Sequence, residues 1–201
     1  MQRRRSHEER RTATREALLE AAVEVLATEG YAAATTVLIA QRARVTRGAL
    51  QHHFPAKDDM ILAVIDRVMT RINFELDVGA LDGAPMEDRV RAVVRSYRAA
   101  FASRYFEAAI QVFMGSRTDP ALSRRSMDLL EQTQDRMNAI WARVFPEIGE
   151  AELLPRLRRV TMAVVRGAVL LEVFGLTSTW EEDGPLVEAM VLRELRALSG
   201  S

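Results

Sequence analysis

Between Thr35 and Phe54 the chain reads as two very short helices joined by a tight turn, the first capped by Thr35 or Thr36 and running through Ala43, the second capped by Thr46 and running through about His53. Helices of this length are not stable alone in water, where about 12–15 residues is the usual lower limit. The pair therefore folds only against longer helices supplied elsewhere in the chain. Its second member carries Arg47, Gln51, His52 and His53 where a solvated helix usually carries Glu and Lys. That combination is how a helix-turn-helix presents itself to DNA.

The surrounding pattern is helical. Ser6-His7-Glu8-Glu9 has the form of a capping box, but no apolar residue follows for several turns, so residues 1–11 read as a frayed, basic arm. A helix is predicted from about Thr12 to Glu29, where Leu18, Ala22, Val25 and Leu26 recur at helical spacing and Gly30 supplies the stop. Thr35 or Thr36 caps a second helix, with Val37, Ile39 and Ala40 facing inward, and Thr46 caps a third through about His53. Pro55 disfavours helix at Phe54. A fourth helix starts near Lys57-Asp58-Asp59, with acids in its first turn as the helix dipole prefers, and runs through Ile72 and Leu76 to a break at Val78-Gly79. Further helices are predicted at about 86–102, 104–115, 121–145, 151–177 and 184–198. Gly115 with Asp119-Pro120, Pro146 with Gly149, and Asp183-Gly184-Pro185 punctuate them. No alternating strand pattern or internal repeat is visible. The expected fold class is all-α with about nine helices.

Bulk properties exclude several alternatives. At 201 residues the chain can bury a proper core in one large or two small domains. Cysteine is absent, which removes disulfides and thiolate metal sites. Arg166 and Glu172 interrupt the best membrane candidate, Val160 to Leu176, and no apolar stretch follows the basic N-terminus as a signal peptide requires. The cytoplasm is the expected compartment. The net charge of zero conceals an asymmetry: residues 1–57 hold ten Lys and Arg against six Asp and Glu, whereas 58–201 hold eighteen against twenty-two. Positive charge at one end suits an approach to phosphates with that end.

Arg15, Leu18, Leu19, Ala21, Ala22, Gly30, Tyr31, Thr35, Thr36, Val37, Ile39 and Ala40 lead into Ala43, Val45, Thr46, Gly48, Ala49 and Leu50, then His53-Phe54 and Lys57. In order and spacing this run, over roughly residues 12–65, closely resembles the TetR family of bacterial transcriptional regulators. The resemblance implies a DNA-binding domain over 1–57 and a helical effector-binding and dimerisation domain over 58–201. Beyond residue 65 it rests on length and helical character and identifies no ligand. Two positions depart from the pattern. Arg44 stands where the family usually has Gly in a left-handed turn, at a cost of about 1–2 kcal/mol. Gln51 stands where the family often has Tyr, replacing a phenol-to-phosphate contact by an amide suited to phosphate or an adenine edge.

The residues expected at DNA are Thr35, Thr36, Arg44, Thr46, Arg47, Gly48, Ala49, Gln51, His52, His53 and Lys57. Arg47 can fork onto guanine O6 and N7, a contact worth about 1–3 kcal/mol of discrimination. Gly48 and Ala49 lack bulk, which lets the backbone approach and leaves room for a thymine methyl. Thr36, His53 and Lys57, the only lysine, are placed for phosphates, which set register rather than sequence. Leu50 and Phe54 read as core, and Tyr31 as a structural anchor more than a DNA contact. His52 and His53 are not a metal pair, since helix neighbours point about 100° apart. Arg42 reads as a solvated arginine. The arm, Arg3-Arg4-Arg5 with Arg10-Arg11, is either disordered or reaches the minor groove.

One helix-turn-helix makes too few contacts for useful specificity, so a homodimer on a pseudo-palindromic, double-stranded operator is expected. Val160, Val164, Gly167, Ala168, Leu171 and Leu192 on the last two helices suit the interface the resemblance implies, although some must be intramolecular core. Tyr97, Phe101, Phe113, Trp141, Met162 and Arg166 are the residues expected to bind a small apolar effector. Phe74 belongs to the same supply of large side chains, and Arg98, Gln111 and Glu172 offer further polar contacts. Most such side chains are ordinarily core. Neither cofactor nor membrane is expected. A helical enzyme is the main rival, but the three histidines are His7, His52 and His53, and there is no Cys or Gly-rich fingerprint. A second rival is an architectural protein that binds DNA without reading it.

Overall fold

The computed structural model describes residues 7–72, 76–149, 152–176 and 180–200. Arg3-Arg4-Arg5 of the arm and Phe74 of the apolar cluster lie outside the described residues. Among the described residues there are nine α-helices and no strand: α1 (His7–Glu29), α2 (Thr36–Arg42), α3 (Arg47–His53), α4 (Lys57–Ile72), α5 (Met86–Phe101), α6 (Arg104–Gly115), α7 (Pro120–Val144), α8 (Leu153–Val173) and α9 (Trp180–Ser199). Short 3-10 turns occupy Gly79–Leu81 and Ser116–Thr118. No described helix is long and apolar enough to cross a membrane. The chain divides into two compact units, Met1–Thr70 with Arg104–Leu130, and Arg71–Ser103 with Glu131–Ser201. This is a division by compactness, distinct from the functional boundary expected near Lys57.

In the first unit α1 is the central element. From Leu18 to Leu26 almost every side chain is buried, because α2, α3 and α6 all pack on it. Ile39 and Ala40 come from α2, Leu50 from α3, Met60, Ile61, Val64, Ile65 and Val68 from α4, and Ala108, Ala109 and Val112 from α6. Polar ties fix the same packing. Glu20 on α1 receives Arg67 at 3.1 Å, Arg104 at 2.7 Å and the Tyr105 hydroxyl at 3.1 Å, and Arg67 also pairs with Glu16. Gly115 closes α6 at a point where a Cβ would lie 2.1 Å from the Tyr31 ring. It is a slot for that ring as well as a helix stop.

The second unit packs α5, α8 and α9 on one another. Val90, Val93, Val94, Tyr97 and Phe101 of α5 are buried, as are Trp141 and Phe145 at the end of α7, Val165 and Val169 of α8, and Val187, Val191 and Leu195 of α9. Arg89 donates to the Val144 carbonyl at 2.6 Å and pairs with Glu147 at 2.6 Å, which pins the turn after α7. Glu172 accepts from the Trp180 backbone N–H at 2.7 Å and from Arg98 at 3.0 Å. It thereby caps the N-terminus of α9, where the dipole favours a carboxylate.

Several boundaries depart from expectation, each for a physical reason. Residues 7–11 are helical rather than a frayed arm: Glu8 and Glu9 occupy the first turn, where acids stabilise the helix. Val37 is 48% exposed rather than inward-facing, and α2 buries only Ile39 and Ala40. The described part of the fourth helix ends at Ile72, Leu76 is not helical, and α8 ends at Val173 rather than near 177. Asp183-Gly184-Pro185 does not start α9 but lies inside it. Gly184 is buried there because a Cβ would sit 2.9 Å from the Trp180 indole, which folds back over it.

Candidate nucleic-acid interface

The short helix pair is held by its two caps and a closed turn. Thr35 is extended (φ −89°, ψ 151°) and its hydroxyl accepts from the Leu38 N–H at 3.2 Å. Thr46 repeats the device (φ −73°, ψ 152°), accepting from Ala49 N–H at 3.1 Å. Such caps each contribute about 1 kcal/mol. Arg44 has φ 56°, the left-handed conformation its position was expected to demand. Around it the Arg44 N–H bonds the Gln41 carbonyl and the Val45 N–H the Ala40 carbonyl, both at 3.0 Å. These bonds satisfy the carbonyls at the end of α2 and aim α3 away from it.

One face of α3 is sealed and the other is open. Leu50 and Phe54 are buried, while Arg47, Gly48, Gln51 and His52 are exposed, with Ala49 and His53 at the margins. The exposed positions fall at i, i+1, i+4 and i+5, one continuous face at helical period. Gly48 lies within it without an internal reason. A Cβ there would meet only the Thr46 hydroxyl, at 4.0 Å. Glycine in a helix costs roughly 0.5–1 kcal/mol relative to alanine, and packing among the described residues does not require it here.

The cations sort by partner. Arg42 is exposed, as a solvated arginine would be, and pairs at the surface with Glu24 and Glu29 of α1, each at 2.5 Å, which ties α2 to α1. Arg44 and Arg47 are exposed and make no ion pair among the described residues. Lys57 places its ammonium 4.7 Å from the centre of the Tyr31 ring, so Tyr31 is an anchor that also positions a cation. Burial and the nearby Asp58 and Asp119 raise the Tyr31 hydroxyl's pKa. Burial lowers the His53 pKa, helped by repulsion from His52, Arg11 and Arg15. Arg15 also stacks on Phe54 at 5.4 Å. Arg11 and Arg15 were not singled out from the sequence as neighbours of His53. The available signal was their i, i+4 spacing, informative only once α1 is seen to begin at His7.

The residues expected to hold an effector do not form one open pocket. Tyr97, Phe101 and Trp141 are buried and stacked, with Tyr97 and Trp141 ring centres 6.3 Å apart and the Trp141 Nε1–H donating to the Tyr97 hydroxyl at 2.6 Å. A cavity of about 10 Å³ lies beside them, room for roughly one water. Met162 is half-buried against Arg158, Arg166 is exposed, and Arg98 and Glu172 are paired with each other. Phe113 and Gln111 belong to the first unit. Sequence reading missed Arg158, although it sits on the buried stripe Leu154, Arg158, Thr161, Val165, Val169. On the outer side of α8 and α9, Leu157, Val160, Val164, Val187, Met190 and Val191 line a groove of about 230 Å³. Val160 is 59% and Met190 43% exposed there, an apolar surface shared by two adjacent helices.

Residues 18–64 match the family model for bacterial regulatory proteins of the tetR family. The chain is 26% identical over 146 residues to the HTH-type transcriptional regulator CymR of Pseudomonas putida, spanning 73% of this chain and 72% of that protein. Among solved structures it resembles the fatty acid degradation regulator FadR from Bacillus halodurans, with a TM-score of 0.67 and 16% identity over 89% of this chain and 94% of that one. It also resembles the flavonoid-responsive regulator FrrA, with a TM-score of 0.65 and 24% identity over 90% and 94% of the two chains. At these identities the structural likeness concerns the fold.

Proposed function

The chain belongs to the TetR family of bacterial regulatory proteins, and on that premise we propose that it is a repressor which binds a pseudo-palindromic operator as a homodimer and is released by a small molecule. The observation that carries this reading is the open face of α3, where Arg47, Gly48, Gln51 and His52 stand exposed above the sealed Leu50 and Phe54. Arg47, which pairs with no carboxylate among the described residues, is placed to fork onto guanine. Gly48 and Ala49 let the backbone approach a base edge. Gln51 takes an adenine edge or a phosphate, and His52 faces the groove wall. Thr35, Thr36, Thr46, Arg44, His53 and Lys57 grip phosphates and set the register.

Dimerisation uses the apolar outer face of α8 and α9, where Val160, Val164, Gly167, Ala168, Leu171 and Leu192 lie. A Cβ at Gly167 would meet no atom of another element within 4 Å among the described residues, which leaves room for a partner helix. Release follows from α4, which starts at Lys57 and ends at Ile72. An effector held by the second unit shifts that helix and the spacing of the two recognition helices. Coupling of about 1–3 kcal/mol gives 5–150-fold relief. FadR and FrrA, by their names, are regulators tied to fatty acid degradation and to flavonoids, which supports a small-molecule input here.

The test is a salt titration of binding to a palindromic operator and to a scrambled duplex. Strong salt dependence with a clear preference for the palindrome supports the reading. Equal affinity for both duplexes would instead identify an architectural DNA-binding protein.

A further inference from the structure

The second unit holds a buried guanidinium that makes no ion pair among the described residues. Arg158 is 0% exposed. Its Nε donates to Asn138 Oδ1 at 2.7 Å, its Nη2 to Gln134 Oε1 at 2.6 Å, and its Nη1 faces Met162 Sδ at 2.9 Å. Among the described residues no carboxylate lies within ion-pair distance of it, and Asp135 and Arg159 act only from further away. Arg89 and Arg98 in the same unit have Glu147 and Glu172. A charge withdrawn from water with only neutral partners is strongly disfavoured unless something compensates it.

The Tyr97 hydroxyl has the complementary problem. It accepts from Trp141 Nε1 at 2.6 Å and faces the Arg158 guanidinium, so both polar neighbours are donors. A phenol oxygen has two acceptor positions and one proton to give. Among the described residues nothing accepts that proton, and burial holds the hydroxyl neutral by pushing its pKa up to about 12. Donors from Arg158 and Tyr97 thus face each other without an anion between them, and the small cavity beside Tyr97 is lined mainly by Val93, Met137, Ile140 and Trp141, with Ser96 adding a hydroxyl.

We propose that the effector is an organic monocarboxylate on an apolar body, its carboxylate paired with Arg158 and accepting the Tyr97 hydroxyl proton while the body parts the aromatic stack. The inference rests on the effector-released reading above and names the effector's class. One guanidinium supplies one positive charge, so a dianion such as a phosphate monoester would leave charge uncompensated among apolar side chains. A planar two-oxygen head also matches the guanidinium fork.

Trp141 reports directly on the site once Trp180 is replaced by Phe. The full chain carrying Trp180→Phe is titrated, without DNA, with benzoate, phenylacetate and octanoate and with their primary amides. At least one acid should change Trp141 emission saturably and bind at least tenfold tighter than its amide. Arg158→Gln should erase that preference, Arg158→Lys should keep part of it, and Tyr97→Phe should weaken the acid more than the amide. Circular dichroism confirms that each variant is folded; if Arg158→Gln is not, the Lys and Phe variants decide. No response to any acid at millimolar concentration, or amides binding as tightly as acids, overturns the proposal. Operator release is scored separately. Acids that bind through Arg158 without releasing DNA leave this assignment standing and refute effector release. Release by neutral compounds regardless of Arg158 does the reverse.

Discussion

At the residue scale the proposed interface separates reading from holding. Arg47 is exposed on the open face of α3 and makes no ion pair among the described residues, whereas Lys57 is steadied over the Tyr31 ring, a contact worth about 0.5–1 kcal/mol. Arg47→Ala should therefore cost about 1–3 kcal/mol on the operator and relax base preference at one position of each half-site. Lys57→Ala should weaken all sequences alike and reduce the salt slope by about 1 per subunit; gel-shift titrations at several salt concentrations measure both. His53 supplies the pH dependence. Its pKa in the free protein lies below the ordinary value of about 6.5, because burial and the neighbouring His52, Arg11 and Arg15 oppose its charge. The unfolded chain then binds the proton more readily, so stability is present above about pH 6.5 and falls as pH drops through the folded pKa. A DNA phosphate favours the proton instead. Operator affinity should rise between pH 7.5 and 6 while thermal stability falls, and His53→Gln should flatten both curves.

At the scale of elements, the short helix pair exists because caps and a turn replace the length it lacks. Thr46→Ala removes the acceptor for the Ala49 N–H and should destabilise the fold by about 1 kcal/mol in denaturant unfolding. Arg44→Gly relieves a left-handed residue and should stabilise by up to about 1–2 kcal/mol, yet weaken DNA binding by removing an exposed cation. Gain of stability with undiminished affinity would show that Arg44 does not touch DNA. Gly115→Ala places a methyl 2.1 Å from the Tyr31 ring. It should destabilise by about 1–3 kcal/mol through overpacking and, by displacing the anchor under Lys57, lower operator affinity as well.

At the scale of the whole molecule, the outer face of α8 and α9 is where a second copy is to be sought. Exposed Val160, Val164 and Met190 around a groove of about 230 Å³ are costly to leave in water. Val160→Glu with Met190→Lys should yield a folded monomer by sedimentation, with operator affinity reduced at least a hundredfold because two linked half-sites become one. A dimer that survives both changes would move the interface elsewhere.

Local patterns carried much of this. Helix number, the caps at Thr35 and Thr46, the left-handed Arg44 and the buried Leu50 and Phe54 depend on residues within one or two turns of each other, and such short-range physics is written in order along the chain. What remained illegible depends on partners distant in sequence. Arg42 has no evident partner until Glu24 and Glu29 are found across from it. Gly115 and Gly184 look like helix breakers until Tyr31 and Trp180 are seen against them. Glu172 looks like an ionic intruder in an apolar helix until Arg98 and the Trp180 N–H satisfy it. Arg158 looks like one charge in the run from Arg156 to Arg159 until α8 turns it inward without a carboxylate. A linear string records which side chains carry charge or lack bulk; burial and the choice of partner arise only when helices pack.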